Sequence, residues 1–219
     1  MSASVPPIAS AGAGPDYPVR FDVEYPDRRL DRLTTFFRPL VAVPILVVLG
    51  LLLGASYEIP NDAGTTVVVT GGGLLFLPTV LMLLVRRKYP RWWFDFNREL
   101  SRFTARVFAY AALLDDRYPS TDEQQAVHLD FAYPDTERDL NRWLPLVKWL
   151  MAIPHFIVLG LLWFAAFFVV LYAWVAILFT GRYPRGAFAF VVGVARWHAR
   201  VVGYAMLLVT DRYPPFSLQ

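Results

Sequence analysis

Between Trp149 and Gly181 the chain runs 33 residues without an Asp, Glu, Lys or Arg. Stretches of ~18 or more apolar residues are long enough to cross a bilayer. Pro39–Tyr57 is likewise uncharged, and Ile59–Val85 carries only Asp62. These runs lower the charged fraction to 18%, against about 25% in ordinary soluble domains, and they predict an integral membrane protein. The first sixteen residues hold no basic residue and no long apolar run. They predict a disordered tail without a cleavable signal peptide, so the first apolar span serves as an uncleaved anchor.

The sequence is written twice. "VRFDVEYPD" at 19–27 matches "VHLDFAYPD" at 127–135, and "RLTTFFRPLVAVPILVVLG" at 32–50 follows "RWLPLVKWLMAIPHFIVLG" at 142–160. "KYPR" at 88–91 matches "RYPR" at 182–185, and "RFTARVFAYAALL" at 102–114 matches "RWHARVVGYAMLL" at 196–208. Each copy ends on Asp-Arg-Tyr-Pro. Five blocks in one order read as a tandem duplication, repeat 1 over 17–119 and repeat 2 over 126–214. Seven of the eleven tyrosines precede proline: Tyr17, Tyr25, Tyr89, Tyr118, Tyr133, Tyr183 and Tyr213. Proline forces the residue before it out of the helical region, and tyrosine suits a membrane–water boundary. Tyr-Pro therefore reads as punctuation that ends a helix at the headgroups.

Charge sets the expected topology. Arg20, Arg28, Arg29, Arg32 and Arg38 precede the first span, 39–54; Arg86, Arg87 and Lys88 follow the second, 67–85. The connection between them holds only Glu58 and Asp62. The positive-inside rule puts both termini in the cytoplasm. Repeat 2 predicts the same hairpin, with spans at 143–161 and 164–180 and a tight bend near 160–166. One long tilted helix is the competing reading of this stretch. The hairpin leaves all 21 basic residues on the cytoplasmic side. Gly50-x-x-x-Gly54 and Gly71–Gly73 suit close packing of the first two spans.

Residues 92–114 place Asp95, Arg98, Glu99, Arg102 and Arg106 on one helical face and Phe96, Leu100, Phe103, Val107 and Tyr110 on another. This is an amphipathic helix of the interface. Its counterpart, 187–209, is apolar almost all round, but crossing would cost roughly 2.5–3.5 kcal/mol for each of Arg196 and Arg200. It reads as interfacial, or packed on the cytoplasmic end of the bundle. Residues 19–25 and 127–133 alternate apolar and polar and predict two strands. A lone strand leaves its backbone unsatisfied, so the two are expected to pair antiparallel about a pseudo-two-fold axis and rest on the interfacial helices. The expected fold is an all-α integral membrane protein of two tandem repeats. Each has a short cytoplasmic strand, a transmembrane helical hairpin and an amphipathic helix, giving four transmembrane helices in total.

The paired hydrophobic-x-hydrophobic-Asp-x-x-Tyr-Pro-Asp pattern, the membrane hairpin, Arg-Tyr-Pro-Arg and the Arg-x-x-x-Arg-x-x-x-Tyr helix together resemble a bacterial membrane-protein family. That family is common in actinobacteria and known only as a domain of unknown function. The resemblance covers nearly everything after residue 16 and implies an inner-membrane location; it implies no activity, substrate or catalytic residue.

Candidate site residues are few. Arg102/Arg106 and Arg196/Arg200 are i, i+4 pairs, and interfacial guanidinium groups suit the phosphates of anionic lipids. The alternative is structural pairing, with Glu99, Asp22, Asp115, Asp116, Asp130 and Asp211 as partners inside the chain. His155 lies in an expected span, where an ionisable residue is a functional candidate by default. The plainer reading is a neutral imidazole bonded to a carbonyl freed by Pro154. Absence of cysteine excludes disulfides and thiolate metal sites. The chain has no Gly-x-Ser-x-Gly, no phosphate-cradling glycine loop and no metal-spaced histidines.

The expectation is a non-enzymatic membrane scaffold or accessory subunit of an envelope complex. It needs no metal or cofactor, does not bind nucleic acid, and has the lipid bilayer and either a protein partner or a second copy as its contacts. The alternative is a lipid-binding or small-solute transport component that uses the arginine pairs.

Overall fold

The computed structural model describes residues 17–54, 56–60, 66–70, 72–121, 123–136 and 138–219; the expected tail lies outside them. The chain is mostly helical. In order it forms β1 (Val19–Val23), α1 (Arg32–Gly54), β2 (Ser56–Pro60), β3 (Thr66–Thr70) and α2 (Gly72–Leu81), which widens into a π turn over Met82–Arg86. Then follow α3 (Arg91–Ala111), β4 (Val127–Phe131), α4 (Pro145–Met151), α5 (Ile153–Thr180) and α6 (Arg185–Ala205). Among the described residues, two helices are long and apolar enough to cross a membrane, over Arg32–Gly50 and Ile153–Thr180, which weakly favours membrane association.

β1 and β4 pair antiparallel with Phe21 opposite Leu129, Val19 opposite Phe131 and Val23 opposite Val127. The register is centred on residues that occupy the same place in the two sequence repeats, so a two-fold operation maps the ribbon onto itself. Val19, Phe21, Val23, Val127, Leu129 and Phe131 point inward and are buried, while the alternate residues face outward. β1 lies on α6 and β4 on α3, so each strand is carried by the helix of the other repeat. α6 is buried on almost every side, between β1 and α5. α3 and α6 both end just before a leucine in the left-handed region, Leu113 (φ 65°) and Leu208 (φ 57°). That conformation costs an L-residue roughly 1–2 kcal/mol, and both leucines are pinned in the core.

Two expectations about the spans need correction. Repeat 2 holds no hairpin within 143–180: after the short α4, a single helix of 28 residues runs from Ile153 to Thr180. Leu-Leu-Trp-Phe-Ala-Ala at 161–166 contains no turn residue, and Gly160 sits inside the helix with open space beside it. The expected second span, 67–85, is also broken. Thr66–Thr70 is a strand paired with Ser56–Pro60, and the helical part starts only at Gly72. The run Thr-Val-Val-Val-Thr is β-branched throughout, which favours an extended backbone.

The two halves therefore differ in length. Arg38 and Tyr89 are 51 residues apart, whereas their counterparts Lys148 and Tyr183 are 35 apart. The difference equals the 16 residues 56–71 that hold β2, β3 and their connections. Nor does Gly50 mediate helix packing, because it faces open space.

α6 meets β1 most closely at Gly203, where an added Cβ would lie 2.6 Å from Val19 Cγ2. Gly203→Ala is expected to destabilise the fold by about 1–3 kcal/mol, read as a lower unfolding midpoint in detergent. Gly160→Ala has room for the methyl group and should be neutral or stabilising by up to ~1 kcal/mol.

Candidate functional site

The helices α3 and α6 each project an arginine across the molecular axis. Arg102 donates through Nε to Leu129 O at 2.8 Å and through Nη2 to Asp130 Oδ1 at 2.9 Å. Arg196 donates through Nε to Phe21 O at 2.9 Å and through Nη2 to Asp22 Oδ1 at 2.8 Å. Phe21 and Leu129 form a pair whose backbone groups point away from the partner strand, since the flanking ladder bonds join Glu24 N to Ala126 O and Ala132 N to Pro18 O. Each guanidinium thus closes one open edge of the two-stranded ribbon. Arg102 also meets Glu99 at 2.8 Å, and Arg196 meets Leu218 O at 3.2 Å.

Arg106 and Arg200 act within their own halves. Arg106 Nη1 donates to Ser120 O at 2.7 Å; Arg200 donates to Ser217 O at 3.3 Å and to Gln219 O. All four arginines put forward for phosphate have partners inside the chain.

His155 is fully buried, but its partner is not the expected carbonyl. Its Nδ1 accepts a hydrogen bond from Trp197 Nε1 at 3.1 Å, which assigns the ring proton to Nε2 of a neutral imidazole. The ring stacks on Phe216 with centroids 4.0 Å apart and lies 4.7 Å from Tyr213. The imidazole serves as a flat core group that anchors the segment after α6.

Two further charges, which the sequence does not single out as site residues, are as deeply buried as Arg200. Arg38 in α1 donates to Asp115 O at 3.0 Å and pairs with the Asp116 carboxylate. Lys148 in α4 donates to Thr210 O at 2.8 Å and pairs with Asp211 Oδ1 at 2.6 Å. Each cation faces a tyrosine ring, Tyr110 at 4.8 Å and Tyr204 at 5.2 Å. The signal was present in the sequence: each repeat places one cation early in an apolar run, and such a charge needs a partner. The carboxylate of the closing Asp-Arg-Tyr-Pro supplies it.

The tyrosines of Tyr-Pro stitch the halves together. Tyr25 OH donates to Tyr183 O and Tyr183 OH to Ala112 O; equivalently, Tyr133 OH donates to Tyr89 O and Tyr89 OH to Leu207 O. Tyr89 and Tyr183 are each 2% exposed, so their phenols belong to the core and not to a water boundary. The prolines do punctuate, since Pro90 and Pro184 stand directly before α3 and α6. Burial raises the pKa of both phenols above the ordinary value.

Between α3 and α6, over the inner face of the ribbon, lies an apolar cavity of about 440 Å³. Phe21 and Leu129 are among the residues that line it, with Phe108, Ala199, Trp163 of α5 and Leu53 of α1. Its polar neighbours are already engaged. Ser101 and Thr104 donate to carbonyls one turn back, and His198 accepts from Trp163 Nε1 at 3.4 Å. The cavity suits a hydrocarbon chain and offers little to a polar ligand.

Two outcomes follow from these contacts. Asp211→Ala leaves Lys148 buried and unpaired and should cost about 3–5 kcal/mol, while Lys148→Met with Asp211→Leu should recover most of it, measured by thermal unfolding. The buried phenols ionise only once released, so their contribution to stability should be flat below about pH 10 and be lost as pH rises above it. Absorbance at tyrosinate wavelengths should then rise in step with unfolding.

Residues 143–217, roughly a third of the chain, match a family model described as a domain of unknown function, DUF4389. No curated protein and no solved structure matches the chain significantly.

Proposed function

We propose that the chain is a non-enzymatic protein of a bacterial inner membrane, built from two copies of the domain matched by residues 143–217, and that it acts as a scaffold or accessory subunit of an envelope complex. The observation that carries this reading is the destination of four of the cations. Arg38, Lys148, Arg102 and Arg196 are each clamped to a carbonyl and a carboxylate of the same chain. Groups held this way fix a shape; a transport pathway or a catalytic centre would need them free to exchange partners.

The exposed surface supports a membrane location. Large apolar side chains stand outward along α1 and α5, among them Leu40, Val47, Leu161, Phe164, Phe168 and Phe179. A contiguous apolar face of this kind marks an interaction surface.

The axial cavity favours a second reading, in which the protein holds the acyl chain of a lipid. Purification in gentle detergent with mass spectrometry separates the two. A stoichiometric protein partner is expected for the scaffold. A solitary protein that retains a lipid, lost in Ala199→Trp, would replace that reading with the lipid-binding one.

A further inference from the structure

The long apolar helices of this protein do not run away from its polar layer; they run along it. On α5 the buried residues His155, Leu159, Ala166, Ala173 and Ile177 form one stripe from near its start to near its end, at spacings of a single helical face. The opposite side, including Ile157, Leu161, Phe164, Phe168, Val175 and Phe179, is exposed. A helix that left the protein to cross a bilayer would lose its buried stripe after the first turns.

Both ends of α5 are tied to the same layer. Just before it, Lys148 is fixed to Thr210 O and Asp211, and the adjoining Arg212 O accepts from Tyr17 OH at 3.3 Å, before the start of β1. Just after it, Gly181 O accepts from Leu30 N at 2.9 Å and Tyr183 O accepts from Tyr25 OH, past the end of β1. The helix therefore comes down at the two ends of one strand. α1 does likewise. In its first turn the Thr35 carbonyl accepts from Trp174 Nε1 of α5 at 3.0 Å, and at its far end Leu53 still lines the cavity between α3 and α6.

The molecule is thus layered. The outward residues of the ribbon, Arg20, Asp22, Glu24, His128 and Asp130, form a polar face. α3 and α6 lie beneath it, and α1 and α5 present the apolar face on the other side. Exposed basic residues, Arg32, Arg87, Lys88, Arg142 and Arg182, stand next to the ends of the apolar helices. That is where anionic headgroups would meet a helix lying in the plane of a membrane.

We propose that the apolar face of α1 and α5 embeds in a single anionic leaflet, with both helices parallel to the membrane and neither crossing it. This placement rests on the membrane reading above.

The chain has no cysteine, so single-cysteine variants are direct. In inverted and right-side-out vesicles from cells making the full chain, Arg138→Cys and Arg182→Cys flank α5 and report sidedness to an impermeant maleimide. In vesicles of phosphatidylglycerol and phosphatidylcholine, a fluorophore at Ile157→Cys, Phe168→Cys or Phe179→Cys reports depth by quenching from spin-labelled lipids. The proposal expects both flanking cysteines to react from the same side, and all three probes to lie at a common depth of about 5–10 Å. Reaction from opposite sides, with depths spread over ~33 Å between positions 157 and 179, would establish a span and overturn it. Same-sided flanks with position 168 far deeper than the other two would establish a re-entrant bend and overturn it too. Release of the protein by carbonate, with no quenching at any position, would remove the membrane reading itself.

Discussion

Arg102 and Arg196 carry the architecture. A two-stranded ribbon is marginal in water because both of its edges are open and it has only one face to bury. Here the two guanidinium groups take the outward carbonyls of Leu129 and Phe21 and the carboxylates beside them. Each arginine comes from the repeat that does not own the strand it binds. Neither half can close its own strand edge, so the halves are completed only together. As ion pairs these contacts are worth little, ~0–1 kcal/mol each at partly exposed positions. Their weight comes from geometry, since they fix the register and angle at which every other layer is laid down.

The same exchange recurs at each level. Tyr25 and Tyr133 reach into the opposite half, and so do Tyr183 and Tyr89. Arg38 and Lys148, by contrast, stay within their own halves and hold the start of the apolar helix to the end of the repeat. Cross-half contacts thus set the assembly, and within-half contacts set the length of each unit. The cavity lies where the two sets meet, beneath the central Phe21–Leu129 pair.

Much of this was legible in the sequence, and what was not has definite causes. The alternation in 19–25 and 127–133 gave away the strands and their pairing, because a single exposed strand has no other way to satisfy its backbone. The Arg-x-x-x-Arg-x-x-x-Tyr helices were found near their observed limits. The pairing of Arg102 and Arg196 with Asp130 and Asp22 was open as one of two readings. The path of 153–180 is not legible: length and hydropathy suit a hairpin and a single helix alike, and only the unbroken helix from Ile153 to Thr180 distinguishes them. The first half is also a poor template for the second, since it alone of the described halves holds the paired strands β2 and β3. Arg38 and Lys148 do not stand out in the sequence because Asp-Arg-Tyr-Pro reads as an end mark, although its aspartate is the counter-ion each cation requires.

The longer first half has a consequence for stoichiometry. The backbone of the ribbon looks alike after a half-turn, so a ligand that reads only that backbone and the Asp22/Asp130 pair meets two equivalent orientations. The β2–β3 hairpin exists once. Whatever recognises it does so in a single orientation and at one copy per chain, and the duplicated body acquires a polarity that its own symmetry would deny it.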